Sequence, residues 1–496
     1  MTYIELSRRA IAMSSDLKNH GVGRGTPVCL IGPPTIDLLC GIIAIWCAGG
    51  ICVPIDRHLS VDDNLPIAKN GDTEFCVVSS PHLLEYALNL QLGTVFYCGD
   101  MVHTAGFDQT EEPLSDDAAV GLHVPSPDGV SKGVILTHDN LKTLVASTAY
   151  YFDDKPLVLQ RSNWTSDLSL FQILFALTCG GTLFLTVDPD PANVSQIMVQ
   201  QKITVTIATP SEYSSWFQQP LNMLKYCKSW KFALSIGENM SSSVVRNFTG
   251  LENNDLELAN LYGATETTIA CRMGFVEYKE YLADKKGKLI PVGKALPNYR
   301  IWVGDHLGRS LPPAWTGDIR VAGPGIGAGY FGSNDDERRF QAHPETLSRC
   351  FRTCDWGFIN DTGELFVVSR RLDESVAQIH GFHVELGDIS RTIVDQANGR
   401  VAEAIVVFKS NNEQEEPQVQ AFVVMNEAPN LESRRYLQAL LLGLNLPAYM
   451  RPTTAVIWKK LLRTSGGRID HRALMVISIP DTEIIQVMQP ASSLGQ

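Results

Sequence analysis

Short apolar runs recur along the N-terminal half of the chain with amphipathic stretches between them: PVCLIG, EFCVV, TVFYC, AVGLHV, PLVLQ, GTLFLTV, TVTIATP, KFALSIG and LELANLYG. Runs of this length bounded by turn residues read as buried strands, and their alternation with helical segments reads as βα units of parallel sheet. The helices carry their own punctuation. Gly21 closes an amphipathic stretch from Ile4 to His20, and Ser241 to Ser243 precede VVRNF as capping residues. The uncharged stretch from Leu38 to Ile55 reaches the length of a membrane span. Gly49-Gly50 and Pro54 interrupt it, and a helix, a turn and a buried strand (ICVPI) account for it as well.

From about Asp284 to Gly329 the strands shorten and Gly and Pro multiply (GKLIPVGKALPNYRIWV, TGDIRVAGPGIGAGYFG), a pattern suited to a small distorted β-barrel beside the sheets. Near Arg370 the pattern shifts again. A charged turn (SRRLDES), an amphipathic helix (GDISRTIVDQA), a strand pair (AEAIVVF, QVQAFVVM) and a further helix follow, enough for a separate α+β unit. The expected class is α/β: a large N-terminal domain of α/β sheets plus a barrel over 1–369, a small α+β domain over 370–480, and a tail over 481–496.

Composition narrows the function. The 496 residues are 44% hydrophobic and 19% charged, a globular profile of several domains. The 41 basic and 54 acidic side chains leave a net charge of −13, which disfavours nucleic acid and anionic membranes as partners. The 11 Cys include no C-x-x-C pair, and Cys47 with Cys52 or Cys350 with Cys354 lack zinc-site spacing. Reduced thiols and a cytoplasmic location are expected; the start, MTYIELSRRA, shows no secretory apolar region. No P-loop, G-x-S-x-G elbow or H-E-x-x-H occurs. The run GPGIGAG (Gly323 to Gly329) imitates a dinucleotide loop, but Tyr330-Phe331 and GSNDDE follow where a helix would start, so a Gly-rich strand crossing is expected.

A series of segments in fixed order carries more. They are CAGGICVPID, VPSPDGVSKGVILTHDNL, WTSDLSLFQ, SIGENM, NLYGATETT, GDIRVAGPGIGAGY, FRTCDWG, SRRLDESVAQIHGFHVELGDI, LPAYMRP and SGGRIDHRAL. Together they resemble the core motifs of adenylate-forming enzymes, and most closely the amino-acid adenylation domains of nonribosomal peptide synthetases. The resemblance implies a large core joined by a hinge to a small C-terminal lid. It also implies ATP with Mg²⁺ as cofactors, an amino acid as substrate, and aminoacyl transfer to the phosphopantetheine thiol of a separate carrier protein. The chain is expected as a monomer or as part of a larger megasynthase.

Forming an acyl adenylate requires a carboxylate to attack the α-phosphorus of ATP while pyrophosphate leaves, so catalysis means positioning and charge neutralisation. The resemblance places Tyr262 and Gly263 at adenine, Thr265 at a phosphate and Glu266 on Mg²⁺, a metal that takes hard oxygen ligands. A strand-to-helix turn with Thr and Glu as caps is the plainer alternative. Gly129, Lys132 and Gly133 match the phosphate loop, Gly237 and Glu238 a further nucleotide segment, and Asp355 and Arg370 the ribose site. Asp167 matches the aspartate that pairs with a substrate α-ammonium; its alternative is a helix N-cap ahead of LSLFQILFAL. The aligned pocket walls are Leu168, Phe171, Glu212, Leu234, Ile236, Leu261, Ile269 and Ala270. Glu212 alone is polar there and suggests a basic side chain such as ornithine, unless it turns to solvent after Pro210.

Two segments depart from the family pattern. VPSPDGVSKG has Ser126, Pro127 and Asp128 where glycine and hydroxyl residues are usual. Proline removes a backbone donor, and a carboxylate ~4 Å from the pyrophosphate opposes it by about 4 kcal/mol per charge at an effective dielectric of 20. In SGGRID the catalytic lysine is replaced by Arg468, a planar fork in place of a compact ammonium. Gln378 and His380 also stand where basic residues are usual. These changes keep a second expectation open, a catalytically weakened binding module; an acyl or aryl acid–CoA ligase is a third. The longer hinge motif from Ser369 to Gly381 and the MRP after LPAY resemble domains of fungal polyketide–nonribosomal peptide hybrids.

Overall fold

The computed structural model describes residues 1–496 except 71–72, 100–116, 125–131, 153–154, 187–189, 254, 281–288, 306, 332–338, 344–347, 371–375, 380–381, 410–417, 447–449, 464–468, 471–472, 475–476, 478, 481–482 and 488–496. At 63, 70, 191, 280, 369–370, 376–379, 382–385, 388 and 409 it describes the backbone alone. Each N-terminal apolar run becomes a strand. The first sheet has seven strands, in spatial order Gly329–Tyr330, Lys132–Thr137, Ala118–Val124, Ile51–Ile55, Pro27–Ile31, Phe75–Val78 and Thr94–Tyr97. The last five run parallel; the first two are antiparallel additions.

The second sheet repeats the plan with Lys294–Ala295, Arg272–Phe275, Glu257–Tyr262, Phe232–Ser235, Val205–Ala208, Leu157–Gln160 and Thr182–Leu185. It too is parallel except for its first two strands. A shared apolar core joins the facing sides of these sheets, while separate clusters cover their outer faces. Fully buried parallel strands need apolar side chains on both faces, which is why they read as unbroken runs.

The Gly- and Pro-rich region forms a third, antiparallel sheet: Arg300–Gly304, Gly317–Ala322, Arg349–Ile359 and Phe340–Ala342, with Leu365–Arg370 also paired to Arg349–Ile359. Among the described residues these strands do not close into a barrel. Arg272 ties the second sheet to the third, its buried guanidinium donating to the carbonyls of Gly293 and Gly363; burial lowers its pKa to about 10. A hairpin, Val376–Ile379 with Phe382–Glu385, follows. The last sheet orders Val401–Lys409, Gln418–Met425, Thr454–Trp458 and Ile485–Gln486. The helices Leu386–Gln396 and Leu431–Leu442 pack on it, and its two apolar clusters draw only on residues from Leu386 onward.

The stretch from Leu38 to Ile55 resolves into most of the helix Ile36–Cys47, a turn and the strand Ile51–Ile55. No helix among the described residues is long and apolar enough to cross a membrane. All 11 cysteines are free thiols.

Candidate functional site

The site gathers where the strand Glu257–Tyr262 ends. The chain beyond it makes a single turn of 3-10 helix, Thr265–Thr267, and then places Thr268 and Ile269 at φ of 54° and 70°. Two consecutive β-branched residues in the left-handed region cost about 1–3 kcal/mol each and persist only where neighbours impose them. The neighbours are present. Thr267 Oγ1 accepts from the Ala264 amide, Ile269 N donates to Ala264 O, and Thr268 Oγ1 donates to Gly325 O at 2.6 Å. A Cβ on Gly263 would lie 2.2 Å from the Ile269 carbonyl oxygen, so the turn closes only over glycine. This strained turn fixes Thr265 and Glu266, both buried.

Tyr262, Thr265 and Glu266 each meet a residue from a distant segment. Tyr262 Oη donates to Asp355 Oδ2 at 2.7 Å, and burial followed by the Asp355 charge raises the phenol pKa well above its ordinary value. Asp355 lies opposite Arg370 in the strand register, so the backbones of the two ribose candidates face each other. Tyr330 Oη donates to Glu266 Oε1 at 2.7 Å, and Lys132 Nζ lies 5.7 Å from the centre of the Tyr330 ring. Thr265 Oγ1 donates to Asp167 Oδ2 at 2.6 Å. Asp167 begins the helix Asp167–Thr178, but Ser166 caps it, accepting from the Leu168 amide. The N-cap reading of Asp167 thus gives way to another residue. Asp167 is 7% exposed, and among the described residues its carboxylate has no ion pair and no hydrogen-bond partner but Thr265.

The aligned walls Leu168, Phe171, Leu234, Ile236, Leu261, Ile269 and Ala270 are all buried in one apolar cluster with Tyr262. Glu212, the one polar wall, has a capping role. It closes a capping box on the helix Pro210–Phe217, Oε2 accepting from the Thr209 amide while Thr209 Oγ1 accepts from the Glu212 amide. Its pKa is raised, chiefly by burial. Gly237 takes φ +94° after the strand Phe232–Ser235. Beside it, Glu238 accepts from Ser211 and lies 3.5 Å from Arg463, which also holds Glu403 at 2.8 Å. Lys132 and Gly133 open the strand after the phosphate-loop segment. Ser126, Pro127, Asp128, Gly129, His380 and Arg468 lie outside the described residues, as do the side chains of Arg370 and Gln378.

A sequence profile of the family described as AMP-binding enzyme matches residues 1–331. The chain belongs to that family. One relative of this AMP-binding enzyme, the hybrid PKS-NRPS synthetase phm1 of Pyrenochaetopsis sp, is 30% identical over 97% of the chain but only 12% of its own length. The chain therefore spans about an eighth of such relatives. Among solved structures, a benzoate CoA ligase from Burkholderia xenovorans LB400 superposes with a TM-score of 0.81 at 21% identity, covering 96% of this chain and 94% of the ligase. A four-domain nonribosomal peptide synthetase, holo-AB3403 bound to AMP and glycine, gives 0.78 at 22%, covering 95% of this chain and 34% of its own. These two likenesses are of fold.

Within this AMP-binding enzyme, sequence reasoning missed Tyr330 and the Arg463–Glu403 pair. Tyr330 follows GPGIGAG, and the Gly-rich crossing is what delivers it to the sheet edge beside Lys132. An aromatic directly after such a crossing was the available signal. Nothing in the spacing of Glu238, Glu403 and Arg463 announces their meeting.

Proposed function

We propose that the chain activates an amino acid as its aminoacyl adenylate, for transfer to the phosphopantetheine thiol of a carrier protein in secondary-metabolite assembly. Asp167 carries the reading. A buried carboxylate with one neutral donor is costly unless a cation completes it, and a substrate α-ammonium is such a cation. An acyl or aryl acid has none to offer. The amino-acid carboxylate attacks the α-phosphorus, the bond to the bridging oxygen breaks, and pyrophosphate leaves. Lys132 and Thr265 face the phosphates, while Tyr262, Gly263, Gly237 and Glu238 border the base and Asp355 with Arg370 the ribose. The buried walls from Leu168 to Ala270 shape the side-chain pocket.

No group of three or more His, Cys, Asp and Glu among the described residues is arranged to hold a metal. Glu266 alone, with Oε1 already engaged by Tyr330, suits a Mg²⁺ carried by phosphates and water rather than a resident ion. Held there, Mg²⁺ supplies neutralisation of the phosphate charge. The organisation that fits is a core over 1–369 and a lid over 370–480 that brings Arg468 to the α-phosphate. It is supported by the separate apolar clusters beyond Leu386.

The test is pyrophosphate exchange over a panel of amino acids, each paired with its deaminated analogue. Exchange with one or a few amino acids and none with the analogues is expected; equal exchange with both overturns the reading. Asp128 and Arg468 in the sequence favour one other reading, a weakened binding module. AMP binding without exchange for any amino acid would select it.

A further inference from the structure

The Thr265 hydroxyl is engaged by an acceptor from a distant segment. It donates to Asp167 Oδ2 at 2.6 Å across 98 residues of sequence, and both residues are buried. A hydroxyl has one hydrogen, whereas a carboxylate and a phosphoryl oxygen are acceptors only. While Thr265 holds Asp167 it has no proton for a phosphate. The backbone that carries it is fixed by the strained turn after Gly263, so a change of partner is a rotation of one hydroxyl with no movement of the chain. Glu266, the next residue, and Lys132 near Tyr330 put the proposed phosphate side of the turn next to the Asp167 side.

We infer that Thr265 is a switch that couples the two substrates, resting on the amino-acid reading of Asp167. Without an amino acid, the hydroxyl satisfies the buried carboxylate and is withheld from the nucleotide. An incoming ammonium brings three donors and a positive charge to Asp167, replaces the hydroxyl there, and frees it to donate a hydrogen bond to a phosphate oxygen. Amino-acid binding therefore strengthens nucleotide binding, and nucleotide strengthens amino-acid binding by the same factor. Thr265 thereby acts on order and affinity, beyond contact with either substrate.

The experiment measures the Kd of α,β-methylene-ATP with Mg²⁺ by calorimetry on the full chain, alone and saturated with the amino acid that supports the fastest exchange. In the wild type the amino acid is expected to tighten nucleotide binding about tenfold, within the usual range of coupling. Thr265→Ser, which keeps the hydroxyl, should retain that factor. Thr265→Val, nearly isosteric, should bring it to about one while leaving amino-acid affinity in the absence of nucleotide equal to or tighter than wild type. Asp167→Asn should tighten nucleotide binding without amino acid by about threefold or more, because a neutral amide oxygen holds the hydroxyl less strongly than a carboxylate does. Coupling that survives in Thr265→Val, or is absent from a wild type that still rejects the deaminated analogue, overturns the switch alone. A wild type that binds acid and amino acid alike overturns the Asp167 reading and the switch with it.

Discussion

Ser166 and Asp167 divide two tasks that a single residue often combines. The serine satisfies the helix amide, which releases the aspartate to turn toward Thr265, and a carboxylate in the first helical turn also gains from the backbone dipole. Tyr330 does for Glu266 what Thr265 does for Asp167: it engages one oxygen and so sets the direction of the other. Its removal should be felt by whatever that second oxygen binds. Tyr330→Phe is expected to raise the Mg²⁺ concentration for half-maximal pyrophosphate exchange roughly tenfold, the effect of losing a hydrogen bond to a charged group of about 1.5 kcal/mol. Discrimination between the amino acid and its deaminated analogue should be unchanged, because Asp167 is not touched by the substitution. A metal requirement equal to wild type would show that the Tyr330 hydroxyl plays no part in positioning Glu266.

At the scale of elements, local sequence decides more than remote pairing does. The capping box on the helix Pro210–Phe217 is a local device, and it gives Glu212 a structural duty whatever else its other oxygen meets. Glu212→Ala should cost about 1 kcal/mol, while Glu212→Gln, which keeps an acceptor at the third helical position, should cost a few tenths; the midpoint of denaturant unfolding reads both. The same locality explains what was legible beforehand. PVCLIG, KFALSIG and LELANLYG could be recognised as strands because their burial on both faces depends on their own side chains. The helix from Tyr3 to Asn19 ends at its glycine within a residue or two of the expected place. The polar pairs were not legible, since Asp167 with Thr265 and Tyr262 with Asp355 join segments 98 and 93 residues apart. The barrel was only half legible: Gly and Pro frequency marks short, bent strands, whereas closure depends on edge pairing that composition does not encode.

For the whole molecule, the contact between Glu238 and Arg463 carries charge across the join between the second sheet and the unit built beyond Leu386. Arg463 is bracketed by two carboxylates, Glu238 at 3.5 Å and Glu403 at 2.8 Å, with side-chain exposures of 17%, 17% and 20% for Arg463, Glu238 and Glu403. One guanidinium is thus shared between two partly buried carboxylates. Burial accordingly raises the Glu403 pKa above its ordinary 4.5 despite the arginine, and Glu238 adds to the rise. A raised carboxylate pKa means that the folded, docked form favours the protonated acid. The stabilisation is complete below about pH 4.5 and is lost as pH climbs through the higher folded-state value. Replacing Glu403 with glutamine keeps an acceptor for Arg463 and removes the charge that titrates. The stability of Glu403→Gln relative to wild type should therefore rise with pH across that window and level off above it, as measured by denaturant unfolding at a series of pH values. Arg463→Gln should do the opposite at neutral pH, leaving Glu238 and Glu403 to repel across the contact, and small-angle scattering should record a larger radius of gyration as the two units separate. Unchanged dimensions in Arg463→Gln, or a pH-independent difference for Glu403→Gln, would mean that apolar packing rather than this charge cluster holds the units together.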